Sequence, residues 1–367
     1  MKISNITKII NSKIDGSFLD KTTYISTENM LPNCGGIVSS SSVPNSKVTS
    51  FHENDTLLSN IRPYFKKVWF ARFNGGCSND VICIRANEAS CLPKYLYYAL
   101  STDMFINTFS ASSKGTKMPR GDKNALLDYE IPDRNIDEQY YIVDILGSID
   151  ESIENNQSLI DKLEEKMLLE YDLLSHNCLF EETIMQECFD ISIGKTPPRK
   201  ESKWFTTNKE DIKWLSISDL GKSKVFCFDS SEKLTSESIT RYNVKIVPEN
   251  TVVLSFKLTV GKVAITACQM ATNEAIAHFN TKNNYIVEYL YCYLKRYNFD
   301  LLGNTSSIAT AVNSKTIKAM KFIKPNDNEL IEFHNKTNPL IKKIKHLLDT
   351  NAKLKELKQL YLKKFFG

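Results

Sequence analysis

Clustered basic side chains are the residues of this sequence whose types and spacing best suit a chemical task, and that task is binding phosphates. Lys and Arg neutralise phosphate groups, and Arg, Lys, Asn and Gln read the edges of bases. A single basic residue is more often a solvated surface charge, but the clusters taken together favour contact with DNA. The candidate DNA-binding residues are Arg62, Lys66, Lys67, Arg72, Lys114, Lys117, Arg120, Lys123, Lys195, Arg199, Lys200, Lys203, Lys222, Lys224, Lys257 and Lys262.

Catalytic motifs do not accompany these clusters. The sequence has no G-x-x-x-x-G-K-[ST] phosphate loop, no G-x-S-x-G nucleophile elbow and no Asn-Pro-Pro-aromatic motif of the kind with which amino-methyltransferases hold a flipped base. Glu201-Ser202-Lys203 matches the end of a nuclease motif, but no Pro-Asp pair stands at a suitable distance before it. The five histidines and nine cysteines show no metal-binding spacing. We therefore expect no catalytic residue, no metal site and no cofactor in this chain.

The cysteines and the hydropathy of the chain predict a cytoplasmic protein. The number of cysteines is odd and none forms a C-x-x-C pair, so we expect reduced and mostly structural thiols. No apolar run approaches the roughly 18–20 residues that a membrane-spanning helix needs. The N-terminal residues are too polar for a signal peptide, and we expect no membrane partner.

Charge is unevenly distributed along the 367 residues, a length that favours two domains. The net charge is +4 for residues 1–134, −9 for residues 135–178, +5 for residues 179–326 and +4 for residues 327–367. Basic segments suit phosphates, whereas an acidic spacer would stay away from them. The pattern predicts two DNA-facing domains with an acidic spacer between them.

The chain repeats itself at an interval near 194 residues. Residues 77–82 correspond to residues 271–276, and residues 95–100 correspond to residues 289–294. Four weaker matches follow the same order at offsets between 190 and 196. This period is too long for a solenoid unit, so it indicates a duplicated domain with two copies of one kind of site.

Each copy has the sequence pattern of a mixed α and β domain. Residues 68–71 and 81–84 predict short strands around a Gly75-Gly76 turn, and residues 251–256 and 262–265 repeat this pattern around Gly261. A helix is predicted from Pro93 to about residue 109, with its partner at about 286–302. Residues 115–121 form a basic loop.

Two long helices follow the two copies. Apolar residues spaced by three and four predict a coiled coil, and a polar residue in such a seam fixes its register at a cost in stability. The first seam comprises Ile142, Leu146, Ile149, Ile153, Asn156, Ile160, Leu163 and Met167, and the second Ile341, Ile344, Leu348, Asn351, Leu354, Tyr361 and Phe365. We expect an antiparallel pair. The alternative is that each helix packs only on its own domain.

With these residues in view, nearly the whole chain resembles the specificity subunits of type I restriction–modification systems. Residues 131–156, with Asp137-Glu138-Gln139, resemble the central conserved region of that family. The C-terminal copy departs from it, with Asn328-Glu329-Leu330 at the same place. The stretches that resemble target-recognition domains are residues 58–64, 115–121, 214–220, 254–257 and 271–274.

The resemblance implies an α+β fold in which two duplicated mixed α/β target-recognition domains are separated by two long antiparallel coiled-coil helices. We expect recognition domains at residues 1–134 and 179–326 and helical spacers at residues 135–178 and 327–367. Each recognition domain would read one half of a bipartite sequence in double-stranded DNA.

The resemblance also implies partner subunits. The helices would dock methyltransferase subunits, two of them, and restriction/translocase subunits would join them, with S-adenosylmethionine and ATP bound by these partners. The alternative function is a coiled-coil protein–protein adaptor with two binding domains and no nucleic acid. The basic charge of both domains argues against the adaptor.

Overall fold

The computed structural model of the chain describes residues 1–115, 117–177, 181–302 and 312–367. The chain divides into two compact units, one formed by Met1–Ile153 with Lys353–Gly367 and the other by Glu154–Ala352. Each unit contains one copy of the repeat and a part of both long helices. The functional boundaries expected from the sequence remain a prediction, since these units are defined by packing alone.

The described part of the first unit builds two sheets, with strand orders β1-β8-β5-β6 and β2-β4-β7-β3. Its strands are β1 (Thr7–Ile9), β2 (Lys13–Asp15), β3 (Tyr24–Ile25), β4 (Lys47–Phe51), β5 (Thr56–Ser59), β6 (Val68–Phe70), β7 (Gly75–Cys77) and β8 (Val81–Ala86). Its α-helices are α1 (Ile3–Ile6), α2 (Pro93–Leu100), α3 (Asp103–Ala111), α4 (Lys123–Asp128), the beginning of α5 (Ile136–Asn177) and the end of the C-terminal helix α11 (Asp327–Phe366).

The described part of the second unit builds sheets with strand orders β10-β18-β15-β16-β13, β11-β14-β12-β17 and β19-β9. Its strands are β9 (Glu181–Ile184), β10 (Asp190–Ile193), β11 (Phe205–Thr206), β12 (Ile212–Leu215), β13 (Phe226–Cys227), β14 (Glu232–Leu234), β15 (Val252–Ser255), β16 (Val263–Thr266), β17 (Ala271–Thr272), β18 (Ile276–Asn280) and β19 (Lys321–Lys324). Its further helices are α6 (Met185–Cys188), α7 (Ile217–Lys222), α8 (Ser236–Tyr242), α9 (Val287–Arg296), α10 (Ser314–Lys318) and most of α11 (Asp327–Phe366).

The two units share one sheet plan, which confirms the predicted duplication. The strand order β1-β8-β5-β6 recurs as β10-β18-β15-β16. In the other sheet, a parallel strand pair aligns Tyr24 with Gly76 in the first copy and Trp214 with Ala271 in the second. The mixed α and β composition and the two long helices likewise agree with the expected fold class.

Two local predictions are wrong. The Gly75-Gly76 stretch is not a turn but the strand β7, and a β-carbon on Gly75 would lie 2.3 Å from the Thr23 carbonyl oxygen. The glycines therefore serve close packing within the sheet. The helix expected to run from Pro93 to about residue 109 breaks into α2 and α3, because the Thr102 side chain accepts a hydrogen bond from Phe105 N and starts a new helix.

The long helices pack on each other and also on the sheets of their own unit. The predicted pairing is therefore confirmed, and the alternative in which each helix packs only on its own domain is wrong. In the first unit, Ile142 and Leu146 of α5 share a core with Leu362 and Phe366 of α11 and with residues of the sheet domain. The buried positions near the end of α11 are thus one residue beyond the predicted Tyr361 and Phe365.

The polar seam residues meet in the second unit. Asn156 Nδ2 donates a hydrogen bond to Asn351 Oδ1 at 2.8 Å, and Asn351 is buried. The sequence pattern predicts both side chains in a seam, at equivalent positions of the repeat. Because each amide partners the other, the pairing fixes the register of the two helices within this unit.

Candidate nucleic-acid interface

In the first unit, backbone hydrogen bonds join two basic loops. Arg62 N donates to Pro119 O at 2.8 Å and Gly121 N donates to Asn60 O at 3.1 Å, while Arg120 and Lys114 face each other in an isolated bridge. The hairpin between β5 and β6 therefore lies beside the loop before α4. We call the exposed cations on these loops, Arg62, Lys114, Lys117 and Arg120, the first basic surface. Thr116, also in this loop, lies outside the described residues.

Acidic residues orient two cations of the first basic surface. Arg120 forms an ion pair with Asp80 at 2.9 Å, and Lys114 Nζ lies 3.1 Å from Asp122 Oδ2. Asp122 also caps α4 by accepting from Asn124 N, and these hydrogen bonds lower the pKa of its carboxyl group. Lys123, the first residue of α4, is exposed next to this cap.

Three other candidate cations of the first copy do not belong to the first basic surface. Lys66 is only 8% exposed and pairs with Asp103 at 2.6 Å, so its assignment to DNA is corrected to a structural ion pair. Lys67 is half-buried and donates to the Thr27 carbonyl oxygen at 2.5 Å, and burial lowers its pKa. Arg72 is exposed but follows β6, at the opposite end of that strand from the hairpin.

The second unit presents cations on aromatic rings. The Arg199 guanidinium lies 4.0 Å from the ring centre of Phe205 and 4.6 Å from that of Trp214, and it pairs with Glu232 at 2.7 Å. Lys203 Nζ lies 4.3 Å from the ring centre of Trp204. With the exposed Lys195 and Lys200, Arg199 and Lys203 form what we call the second basic surface.

The sheet holds the beginning of the second basic surface in place. Lys195 N donates to Thr272 O at 2.9 Å, and Trp214 Nε1 donates to Lys195 O at 3.2 Å. Gly194 is required here, because a β-carbon would lie 2.1 Å from Thr272 Oγ1. The same tryptophan thus supports Lys195 through its indole nitrogen and Arg199 through its ring face.

Of the remaining candidate DNA-binding residues in the second copy, three are exposed and one forms an ion pair. Lys222 at the end of α7 is exposed, as are Lys257 and Lys262 on the hairpin between β15 and β16. Lys224, in contrast, pairs with Asp161 of α5 at 2.5 Å, an ion pair that joins the domain to the helix, and its contact with DNA stays a prediction. Lys295 and Arg296 likewise form ion pairs with acidic residues of α5.

Lys13 is a basic residue near the site that the sequence clusters did not include. Its ammonium donates to Asn79 Oδ1 at 3.0 Å, on the turn that also carries Asp80, the partner of Arg120. Lys13 is 66 residues away from Asn79, so local clustering could not find it. Lys13 is the first residue of β2, and no basic cluster in the sequence surrounds it.

The sequence of the chain matches the model of a known protein family. The model of the type I restriction modification DNA specificity domain matches residues 1–165 and again residues 180–359. The chain belongs to this family. The two matches fall on the two copies of the repeat.

Individual relatives of the type I specificity family agree with this result. The chain is 24% identical over 174 residues to the MjaIX specificity subunit of Methanocaldococcus jannaschii, covering 42% of this chain and 39% of that protein. It is 25% identical over 178 residues to the HindI specificity subunit of Haemophilus influenzae, covering 47% and 38%. The chain thus spans about two fifths of the length of these relatives.

A solved structure shows the same fold. The crystal structure of a type I restriction-modification S subunit from M. genitalium covers 100% of this chain and 95% of its own, with 18% identity and a TM-score of 0.59. At this level of identity the likeness establishes the fold and nothing further.

In this member of the specificity family, both long helices begin with the same cap. Asn135 and Glu138 exchange hydrogen bonds between side chain and backbone at the start of α5, as Asn326 and Glu329 do at the start of α11. The sequence difference between the two copies lies one residue later and is buried in both. Gln139 bonds Leu92 N and the Ser90 carbonyl oxygen, whereas its counterpart Leu330 packs in an apolar core.

Exposed apolar side chains remain on the helices in the first unit. Tyr140 and Tyr141 on α5, and Leu357 and Leu360 on α11, are exposed. Tyr141 also makes a ring contact with Phe365.

The sequence difference between the two copies, Gln139 in the first and Leu330 in the second, is buried in both. The copies therefore differ here inside their cores and not on a surface open to a partner.

The described residues carry neither a group of three or more His, Cys, Asp and Glu suited to a metal ion nor a helix long and apolar enough to cross a membrane. The described cysteines are free thiols. Burial raises the pKa of Cys77, Cys91 and Cys227 to about 12, which keeps them protonated and unreactive near neutral pH. Cys178 lies outside the described residues.

Proposed function

We propose that this chain is the DNA-reading specificity subunit of a type I restriction–modification complex. The observation that carries the proposal is that one fold occurs twice, with exposed cations on its loops in each copy. Residues 1–134 and 179–326 act as recognition domains, and each reads one half of a bipartite target in double-stranded DNA. Residues 135–178 and 327–367 act as spacers that set the distance between the halves.

The DNA contacts divide into two groups in this proposal. Both basic surfaces, with Arg72, Lys123, Lys222, Lys257 and Lys262, supply cations for phosphates, and these bind any sequence. Base reading falls to the residues that the loops bring to the groove, among which Arg199 is favoured because its ring contacts hold the guanidinium in one orientation.

The chain itself performs no chemistry in this proposal. Methyl transfer belongs to methyltransferase subunits and cleavage to restriction/translocase subunits, which also bind S-adenosylmethionine and ATP. The helices dock two methyltransferase subunits, and the exposed Tyr140, Tyr141, Leu357 and Leu360 offer an apolar surface suited to that contact. The complex acts in the cytoplasm, where the DNA lies.

Methylome sequencing of the host with and without this gene tests the proposal. We expect methylation at one split, asymmetric motif to disappear when the gene is deleted and to return on complementation. An unchanged methylome in a host with an active partner methyltransferase would overturn the proposal and favour the protein–protein adaptor. The motif found in this way supplies the duplex for binding measurements.

A further inference from the structure

One hairpin in each copy turns large apolar side chains toward solvent. The β5–β6 hairpin exposes Tyr64 by 55% and Phe65 by 40%, and the β15–β16 hairpin exposes Leu258 by 97%. Single exposed apolar residues are ordinary. Here, however, exposed apolar residues recur in the equivalent hairpin of both copies, although the side chains differ. The hairpin of the first copy also carries Arg62 of the first basic surface.

The backbone holds Leu258 outward in a conformation that leucine avoids. Its φ of 63° lies in the left-handed region, where the β-carbon crowds the backbone. The loop is fastened beneath it, because Ser255 Oγ donates to Thr259 O at 2.5 Å and accepts from Lys262 N at 3.1 Å. In the first copy, Arg62 and Lys66 have φ values of 48° and 52° on either side of the tip.

The charges around the tip indicate what Leu258 meets. Lys257 precedes it and Lys262 closes the hairpin, both exposed, and residues 256–262 contain no acidic side chain. An apolar side chain between two cations matches a DNA groove, which offers phosphates along its edges and stacked bases at its floor. A purely apolar protein surface would leave the two ammonium groups without a partner.

We propose that Leu258 is a wedge that enters the base stack of one half-site, and that Tyr64 has the same role in the first copy. The inference rests on the proposed function. Apolar side chains inserted between base steps unstack them and kink the duplex. Pyrimidine–purine steps open most easily, so the wedge favours such a step without a hydrogen bond to any base.

The test uses the full chain and a 30-base-pair duplex that carries the methylome-derived motif and a dye at each end. Wild type shortens the dye-to-dye distance and makes a thymine at the opened step reactive to permanganate. L258A loses the shortening and the reactivity in the half-site of the second domain, and its dissociation constant rises about tenfold. L258M restores all three. L169A, which truncates an exposed leucine on α5, behaves as wild type.

The outcomes separate the wedge from the proposed function. If wild type binds the motif duplex but leaves it straight, or if L258A distorts it as wild type does, the wedge is overturned while specific binding stands. If wild type binds the motif and a scrambled duplex equally well, the proposed function fails and the wedge falls with it. Misfolding is checked with L258G, whose melting temperature should equal or exceed that of wild type because glycine tolerates this backbone.

Discussion

The two copies of the recognition fold present their cations in different ways. In the first copy, backbone hydrogen bonds between neighbouring loops place Arg62, Lys114 and Arg120 together. In the second copy, the rings of Phe205 and Trp214 support the Arg199 guanidinium. A loop held through its backbone tolerates exchange of its side chains, whereas a stacked guanidinium requires arginine. One sheet plan can therefore carry two kinds of basic surface, because the loops change while the strands stay.

Charge reversal on the first basic surface should have the largest effect. In the variant with K117E and R120E, two cations become anions, and we expect affinity for every DNA sequence to fall roughly a hundredfold near 0.15 M salt. The slope of log Kd against log salt concentration should also become smaller by about two, because two phosphate contacts are lost. Fluorescence anisotropy over a salt series, with motif and scrambled duplexes, measures both.

The matched control reverses two exposed lysines of α11, in a K342E and K343E variant. It changes the net charge by the same amount at residues that belong to neither basic surface, so its affinity should stay within a few-fold of wild type. Equal losses in the two variants would show that net charge alone, and not the first basic surface, determines binding.

Acid should destabilise the second copy more than the first. His278 bonds Ser192 and Thr272 and lies opposite Val253, where the first copy has Cys83 opposite Leu57. Burial lowers the pKa of His278 to about 4, from an ordinary value of 6.5. The unfolded chain therefore takes up a proton first, and stability that is complete above pH 6.5 is lost as the pH falls toward 4.

This loss should reach about 2 kcal/mol between pH 7 and pH 5. It is measured by urea unfolding in a W69F background, where Trp204 and Trp214 report on the second copy. H278Q can still form hydrogen bonds but does not titrate, so its unfolding free energy should change much less over the same range. Parallel pH profiles for the two proteins would contradict the assignment.

Replacing arginine by lysine should distinguish the two basic surfaces. R199K keeps the charge but loses the ring stacking and the planar guanidinium, so we expect about tenfold weaker binding of the motif with an unchanged salt dependence. R120K keeps its pairing with Asp80 and should weaken binding less than about threefold. Anisotropy with the motif duplex compares them, and equal effects would remove the proposed difference between the copies.

The sequence predicted the features that depend on long-range regularity. The duplication and the helices follow from spacing over many residues, and the same spacing places Asn156 and Asn351 in the seams, where they form a hydrogen bond. Errors arose where the partner is remote in sequence. Lys66 forms an ion pair with Asp103, and Lys13 donates a hydrogen bond to Asn79, because the fold brings together residues tens of positions apart. Local clusters show where cations are frequent but not which way each side chain points.

The smallest expected effect separates two lysines that are neighbours in sequence. K224A removes the ion pair with Asp161, which is about half exposed on both sides, so it should cost less than about 1 kcal/mol in the same urea assay and leave DNA affinity unchanged. K222A should leave stability unchanged, raise the dissociation constant two- to threefold and reduce the salt slope by about one. If both variants lost affinity equally, Lys224 would exchange Asp161 for a phosphate on binding, and its ion pair in the free protein would mark a contact that DNA replaces.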